Sequence, residues 1–273
     1  MHRSSFWRIL AAIFLLGFIP QVGFAQSPTP PVSATPLRNA QAVELLQQCA
    51  QAMGTLNPNS GILVSGQITS TQRPGDPGKL TIELQGYTEM RREVAYSSVN
   101  DIVIVNNGQV QMKRNSAIFN IAPWQETYFR PDDVPALACS LDLARPQMNV
   151  SYVGLETVSG TPVHHIQFFA SAQRLPDGSN TLEPIVSQFD VYLDTQSLIV
   201  VKTKRFLFSP NAIENHSDWE TYYFDYRPVG GVLMPFHMQH CLAGQQAEDI
   251  VISSFQTNAS FTSQDFVIAE VKN

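Results

Sequence analysis

His164 and His165 are neighbours in a stretch, Val163 to Phe169, that alternates as a strand, so their imidazoles point to opposite faces and cannot share one metal ion. His237 and Cys241 fall on one strand face with His240 nearby, and all three are donors that zinc accepts. Their spacing matches no compact ligand motif. Asp132-Asp133 follow Pro131, and Asp76 lies within Arg73-Pro74-Gly75-Asp76-Pro77-Gly78. Carboxylates in such places cap helices and turns, which competes with reading them as an acid–base pair. The chain has no Gly-x-Ser-x-Gly elbow, no His-Glu-x-x-His, no Cys-x-x-Cys and no phosphate-cradling glycine loop. These residues imply no metal, no cofactor and no catalytic centre, and the reading is a protein that is not an enzyme. A hydrolase acting on envelope polymers would need a polar cleft with convergent titratable groups.

The apolar residues carry more information. Met90, Met112, Phe119, Trp124, Phe168, Phe189, Phe224, Met234, Phe236 and Met238 recur on strand faces, and Leu80, Ile82 and Leu84 form a further apolar stripe. Methionine and phenylalanine suit adaptable hydrophobic sites, because thioethers repack around ligands of variable shape. The same residues could equally pack beneath one or two helices. Two convincing helices must cover about ten or more strands, and a single-layer sheet of that width tends to curl around whatever fills it.

The elements that hold these residues follow from the pattern. Asn39 to Met53 is helical: Val43, Leu46, Ala50 and Met53 recur at helical spacing, glutamines and Glu44 take the wet positions, and Gly54 ends it. The period then changes to two. Ile62 to Thr69, Leu80 to Gln85, Met90 to Tyr96, Ile102 to Val105 and Val110 to Met112 are joined by short turns, which indicates an antiparallel meander rather than βαβ crossovers. Asp132 to Leu143 interrupts it as a short helix or lid-like insertion, since acidic residues beside Pro131 favour a helix start. Strands resume at Val150 to Val153, Val163 to Phe169, Ile185 to Leu193 and Leu198 to Phe208. The clearest signal is Tyr222 to Phe255. Tyr222, Phe224 and Tyr226 alternate, Pro228-Val229-Gly230-Gly231 turns the chain, Val232, Met234, Phe236 and Met238 alternate again, and Ile250 to Phe255 follows.

The first residues read as an address. His2, Arg3 and Arg8 precede an apolar run from Ile9 to Ile19, and Gly23-Phe24-Ala25 suits a signal peptidase, so residues 1–25 are a predicted secretory signal. Residues 26–37, rich in Pro, Ser and Thr, form a tether, and 38–273 form one domain. The mature chain is expected in the periplasm or secreted, and not as an integral membrane protein. Its formal net charge of −6 becomes −8 once Arg3 and Arg8 leave with the signal, and without Lys/Arg clusters it lacks the footprint of nucleic-acid binding. Cys49, Cys139 and Cys241 permit at most one internal disulfide in an oxidising compartment, with three possible pairings.

A leader, an amphipathic helix and a long antiparallel meander with a helical insertion resemble the LolA-like lipoprotein-carrier superfamily. So does the ending, Tyr226-Arg227-Pro228-Val229-Gly230-Gly231-Val232-Leu233-Met234-Pro235-Phe236 and a strand, then Asn258, Phe261 and Asp265-Phe266. The resemblance implies a mainly β half-barrel whose apolar concave face, lidded by helices, holds acyl chains of lipids or lipoproteins. This chain is longer than the usual carrier and shows no obvious basic residue to lock a lid. On this reading Leu80, Ile82, Leu84, Met90, Met112, Phe168, Phe189, Phe224, Met234, Phe236 and Met238 line the ligand surface. The partner is a lipid or an acylated lipoprotein, with an envelope protein possible. The alternative is an envelope structural or regulatory interaction domain with a closed core.

Overall fold

The computed structural model describes residues 36–54, 56–57, 60–86, 88–121, 132–137, 148–172, 181–209 and 212–268. The predicted signal, Trp124, Cys139 and most of the tether lie outside them. Alternating apolar residues separated by turns give thirteen strands among the described residues. The first six are β1 (Gly61–Ser70), β2 (Gly78–Gln85), β3 (Glu89–Ala95), β4 (Asn100–Asn106), β5 (Gln109–Arg114) and β6 (Ala117–Asn120). The rest are β7 (Met148–Val158), β8 (Thr161–Ala170), β9 (Phe189–Asp194), β10 (Val200–Ser209), β11 (Ala212–Val229), β12 (Val232–Leu242) and β13 (Gln245–Ala259). They make one antiparallel sheet in the order β6-β5-β4-β3-β2-β1-β13-β12-β11-β10-β9-β8-β7, open at both edges. The chain therefore runs outward from β1 to one edge, crosses to β7 at the other, and returns to lie beside its own start. The mainly β class and the N-terminal helix are as the sequence implies.

The sheet is curled, and one ion pair proves it. Arg92 on β3 lies in register with Ile82, Val64 and Phe255, so its transverse row meets β13 seven residues from Glu248. On a flat sheet those offsets place Arg92 and Glu248 roughly 14 Å apart across the strands and roughly 23 Å along them. Yet Arg92 Nη2 lies 3.6 Å from Glu248 Oε2. Only a sheet folded into a trough brings them together.

The helix α1 (Ala40–Met53) lies on one face, called here the covered face. Asn39 Oδ1 accepts from the Ala42 N–H at 3.0 Å and starts the helix, which buries Ala42, Leu45, Leu46, Cys49 and Met53. Its beginning is tied to the β7 edge, where Asn39 N–H donates to Val150 O at 2.8 Å and Leu37 N–H to Asn149 Oδ1 at 2.7 Å. Its end meets the β11–β12 hairpin. Gly54 has φ +86°, and a Cβ there would sit 2.2 Å from the Gly231 carbonyl oxygen, so only glycine permits this approach. The hairpin is turned by Gly230 and Gly231, both with positive φ, as the paired glycines predict.

The run Ile102 to Val105 of β4 is apolar without a break because it is covered on both sides. Val103 and Val105 pack with the main core, while Ile102 and Ile104 pack against Phe266 and Ile268 of the tail that follows β13. Asp265 closes the turn before Phe266, accepting from Thr262 N–H at 2.7 Å and Thr262 Oγ1 at 3.0 Å.

Three sequence expectations change. The strand predicted from Ile185 begins only at Phe189, because Pro184 sits at the start of a short helix, Glu183–Val186. Cys49 and Cys241 are not joined to each other, which removes one of the three pairings. In the predicted insertion, helical residues begin at 135, and Asp132 and Asp133 precede the helix instead of lying in its first turn. Residues 138–143 lie outside the described part. Among the described residues no helix is long and apolar enough to cross a membrane.

Candidate functional site

Leu80, Ile82, Leu84 and Met90 from one wall of the trough belong, with Phe168, Phe189, Met234 and Met238 from the other, to a single core cluster on the covered face. All eight are buried, Met90 most exposed at 5%. Met112 is half-buried and faces the same way, since it pairs with Val103. Phe236 is half-buried, edge-on to Phe255 with centroids 5.5 Å apart and with the Arg227 guanidinium 4.4 Å from its own ring.

Phe224 lies on the opposite face. It pairs with His237, whereas its neighbour Tyr223 pairs with the buried Met238. Asp225 adopts φ +53° without changing the register, and Tyr226, which pairs with Pro235, packs against the core cluster and donates its hydroxyl to Val200 O at 2.6 Å. The histidines divide likewise. His237 contacts Asp249 at 2.8 Å on the open face and His240 is buried on the covered one, so the zinc-like grouping is split by the sheet. His164 and His165 also face apart, His164 meeting the Tyr152 hydroxyl at 3.0 Å and His165 meeting Glu156 at 2.6 Å.

One transverse row of the covered face runs Phe119, Met112, Val103, Arg92, Ile82, Val64, Phe255 across seven strands. Ile82 and Val64 in it are fully buried, Arg92, Val103, Met112 and Phe255 are half-buried, and Phe119 at the far end is 37% exposed. Arg92 is the one charge within it. A second row runs Val191, Thr203, Thr221, His240, Glu248.

The two rows meet at a buried charged cluster. Arg92 Nε lies 3.5 Å from Asp133 Oδ2, and His240 donates from Nδ1 to Glu248 Oε2 at 2.9 Å while its Nε2 lies 3.6 Å from Asp133 Oδ1. Arg205 on β10 pairs with Asp132. Tyr223 donates to the Asp132 carbonyl at 2.8 Å and accepts from Thr203 Oγ1 at 2.9 Å. Burial opposes the charge on Arg92, but Asp133 and Glu248 outweigh it and raise its pKa. Burial likewise opposes ionisation of Glu248, and the His240 hydrogen bond and the Arg92 charge reverse this and hold its carboxyl below the usual range. Val134, Ala136 and Leu137 follow the two aspartates into the core. The basic residues that grip the insertion, absent from the sequence reading, are thus Arg92 and Arg205. Their signal was present: Arg92 interrupts the stripe Met90, Val94, and His240 continues the stripe Met234, Phe236, Met238.

No family model and no curated protein matches the sequence. The fold is matched by solved structures. A domain described for outer membrane lipoprotein sorting, from Vibrio parahaemolyticus, superposes with a TM-score of 0.52 at 8% identity, over 83% of this chain and 96% of its own. A LolA superfamily protein from Nitrosomonas europaea gives 0.50 at 9% identity, over 83% and 97%. The chain has a LolA-like fold.

Proposed function

We propose that this is an exported, periplasmic, non-enzymatic carrier that binds a lipid or an acylated lipoprotein against the covered face, with residues 1–25 removed as a signal and 38–273 acting as one domain. The observation that supports the reading is the width of the apolar face. A 14-residue helix is about 21 Å long, whereas twelve strand spacings amount to about 58 Å. Apolar side chains toward the ends of the long row, Met112 and Phe119 on one wall and Phe255 with its neighbour Phe236 on the other, keep part of their surface exposed. An acyl chain seated there would remove that surface from water, at about 0.8 kcal/mol per buried CH₂. Leu80, Ile82, Leu84, Met90, Phe168, Phe189, Met234 and Met238 would then form the floor beneath the ligand. Phe224, on the other face, would contribute only if the ligand wrapped around the sheet.

Mass spectrometry of organic extracts from the purified mature protein tests the reading, together with uptake of a fluorescent fatty acid. A lipid in the extract and saturable uptake are the expected results; neither appearing would sink it. Full burial of the eight floor residues favours a second reading, an envelope interaction domain with a closed core. That version requires a protein partner recovered from envelope extract that survives delipidation.

A further inference from the structure

The link between β6 and β7 must pass from one edge of the sheet to the other, and its described part, residues 132–137, passes over the covered face. Two adjacent carboxylates on it reach in different directions. Asp133 meets Arg92 on the β1–β6 wall, and Asp132 meets Arg205 on the β7–β13 wall. His240 and Glu248 stitch the same point together, Glu248 from β13 reaching Arg92 across the trough at 3.6 Å. We propose that Asp132 and Asp133 form an ionic clasp between the two walls of the trough, and that its release lets the walls part and uncovers the apolar face.

The choice of residues supports a clasp over simple packing. Replacing a buried ion pair by apolar side chains of similar volume is often neutral or stabilising, so a cluster needed only for stability would resemble the rest of its row. Here three carboxylates, two guanidiniums and an imidazole occupy the place where the walls converge, while neighbouring Ile82 and Val64 are fully buried and apolar. Charged contacts are also separable, because each partner regains hydration when the contact opens. Ligand entry as the purpose of opening rests on the lipid reading above; the opening itself does not.

The experiment attaches a fluorescence donor and acceptor at Ser116 and Thr157, exposed positions near the β6 and β7 edges, and follows their separation in the full chain. The expected result for Asp132→Asn with Asp133→Asn is retained strand content, a longer Ser116–Thr157 distance and several-fold faster uptake of N-phenyl-1-naphthylamine. Asp133→Asn alone, which loosens the Arg92 and His240 contacts but leaves Asp132 on Arg205, should show a smaller lengthening. An unchanged distance in the double variant overturns the clasp, as does unfolding of both variants, which would make the cluster a keystone of the fold. Because the distance is read without lipid, a carrier that fails to bind lipid and a clasp that fails to open are separate results.

Discussion

His165 shows how a single residue on the open face is tuned. It is held between Glu156, at 2.6 Å, and the buried Asp190, at 3.2 Å, and it stacks on Tyr192 with ring centroids 4.4 Å apart. Burial would depress its pKa, but the two carboxylates outweigh this and raise it. Burial would raise Asp190, and contacts from His165, Gln167 and Lys204 hold it low instead. A raised histidine contributes stability that is complete below its unfolded value near 6.5 and lost as pH rises through its higher folded value. A lowered aspartate contributes stability present above its unfolded value near 3.9 and lost as pH falls through its lower folded value. Both contributions are full between about pH 4 and 6.5. Thermal melts across pH should therefore show Tm falling as pH rises above about 6.5, and His165→Gln should flatten that slope and also shrink the acid limb, because it removes the strongest contact that holds Asp190 low. At the same scale, Met234 is fully buried and Phe236 is not. Met234→Ala should cost about 2–5 kcal/mol in denaturant melts. Phe236→Ser should cost less and weaken fatty-acid uptake more; the reverse ranking would place Phe236 in the core.

At the scale of elements, the sequence disclosed what local chemistry decides. α1 carries its own cap, its helical stripe and its glycine stop, and the β11–β12 turn carries two glycines. The helix at Glu183–Val186 was misread because Ile185 and Val186 favour strands, and Pro184 decided otherwise. Phe224 lies on the face opposite Met234 for a different reason. Alternation defines two faces without saying which one is buried, and Phe224 pairs with His237 one step from the buried pair Tyr223 and Met238. The tail was legible only as Asp265-Phe266, although the unbroken apolar run of β4 announced that something covers its second face. Phe266 is 1% exposed between Ile102, Ile104 and Phe261. Phe266→Ala should destabilise by about 3–5 kcal/mol, read as a shift in urea midpoint with an unchanged slope. A changed slope would mean that the tail folds as a separate unit. Gly54→Ala tests the other end of the covered face. A Cβ against the Gly231 carbonyl must push the helix off the hairpin, so the variant should lose stability and raise amide exchange in both.

The whole molecule depends on contacts that no local pattern encodes. β1 and β13 pair across the entire length of the domain, and the charged cluster joins Arg92, Asp132, Asp133, Arg205, His240 and Glu248 from widely separated stretches. Each is visible in the sequence as a polar residue in or beside an apolar stripe, and only the curl of the sheet makes them neighbours. The same curl fixes how the proposed ligand would act on stability. A ligand that binds the folded trough and not the unfolded chain adds RT ln(1 + [L]/Kd), about 2.7 kcal/mol at a hundredfold excess over Kd. Fatty acid should therefore raise Tm of the delipidated protein in proportion to the logarithm of its concentration. The increase should shrink in Phe236→Ser and survive in Phe224→Ser, because Phe236 lies on the covered face and Phe224 on the open one. Equal loss in both variants would move the binding surface away from the trough. No rise in the wild type, with the fold intact, would leave the closed-core reading in its place.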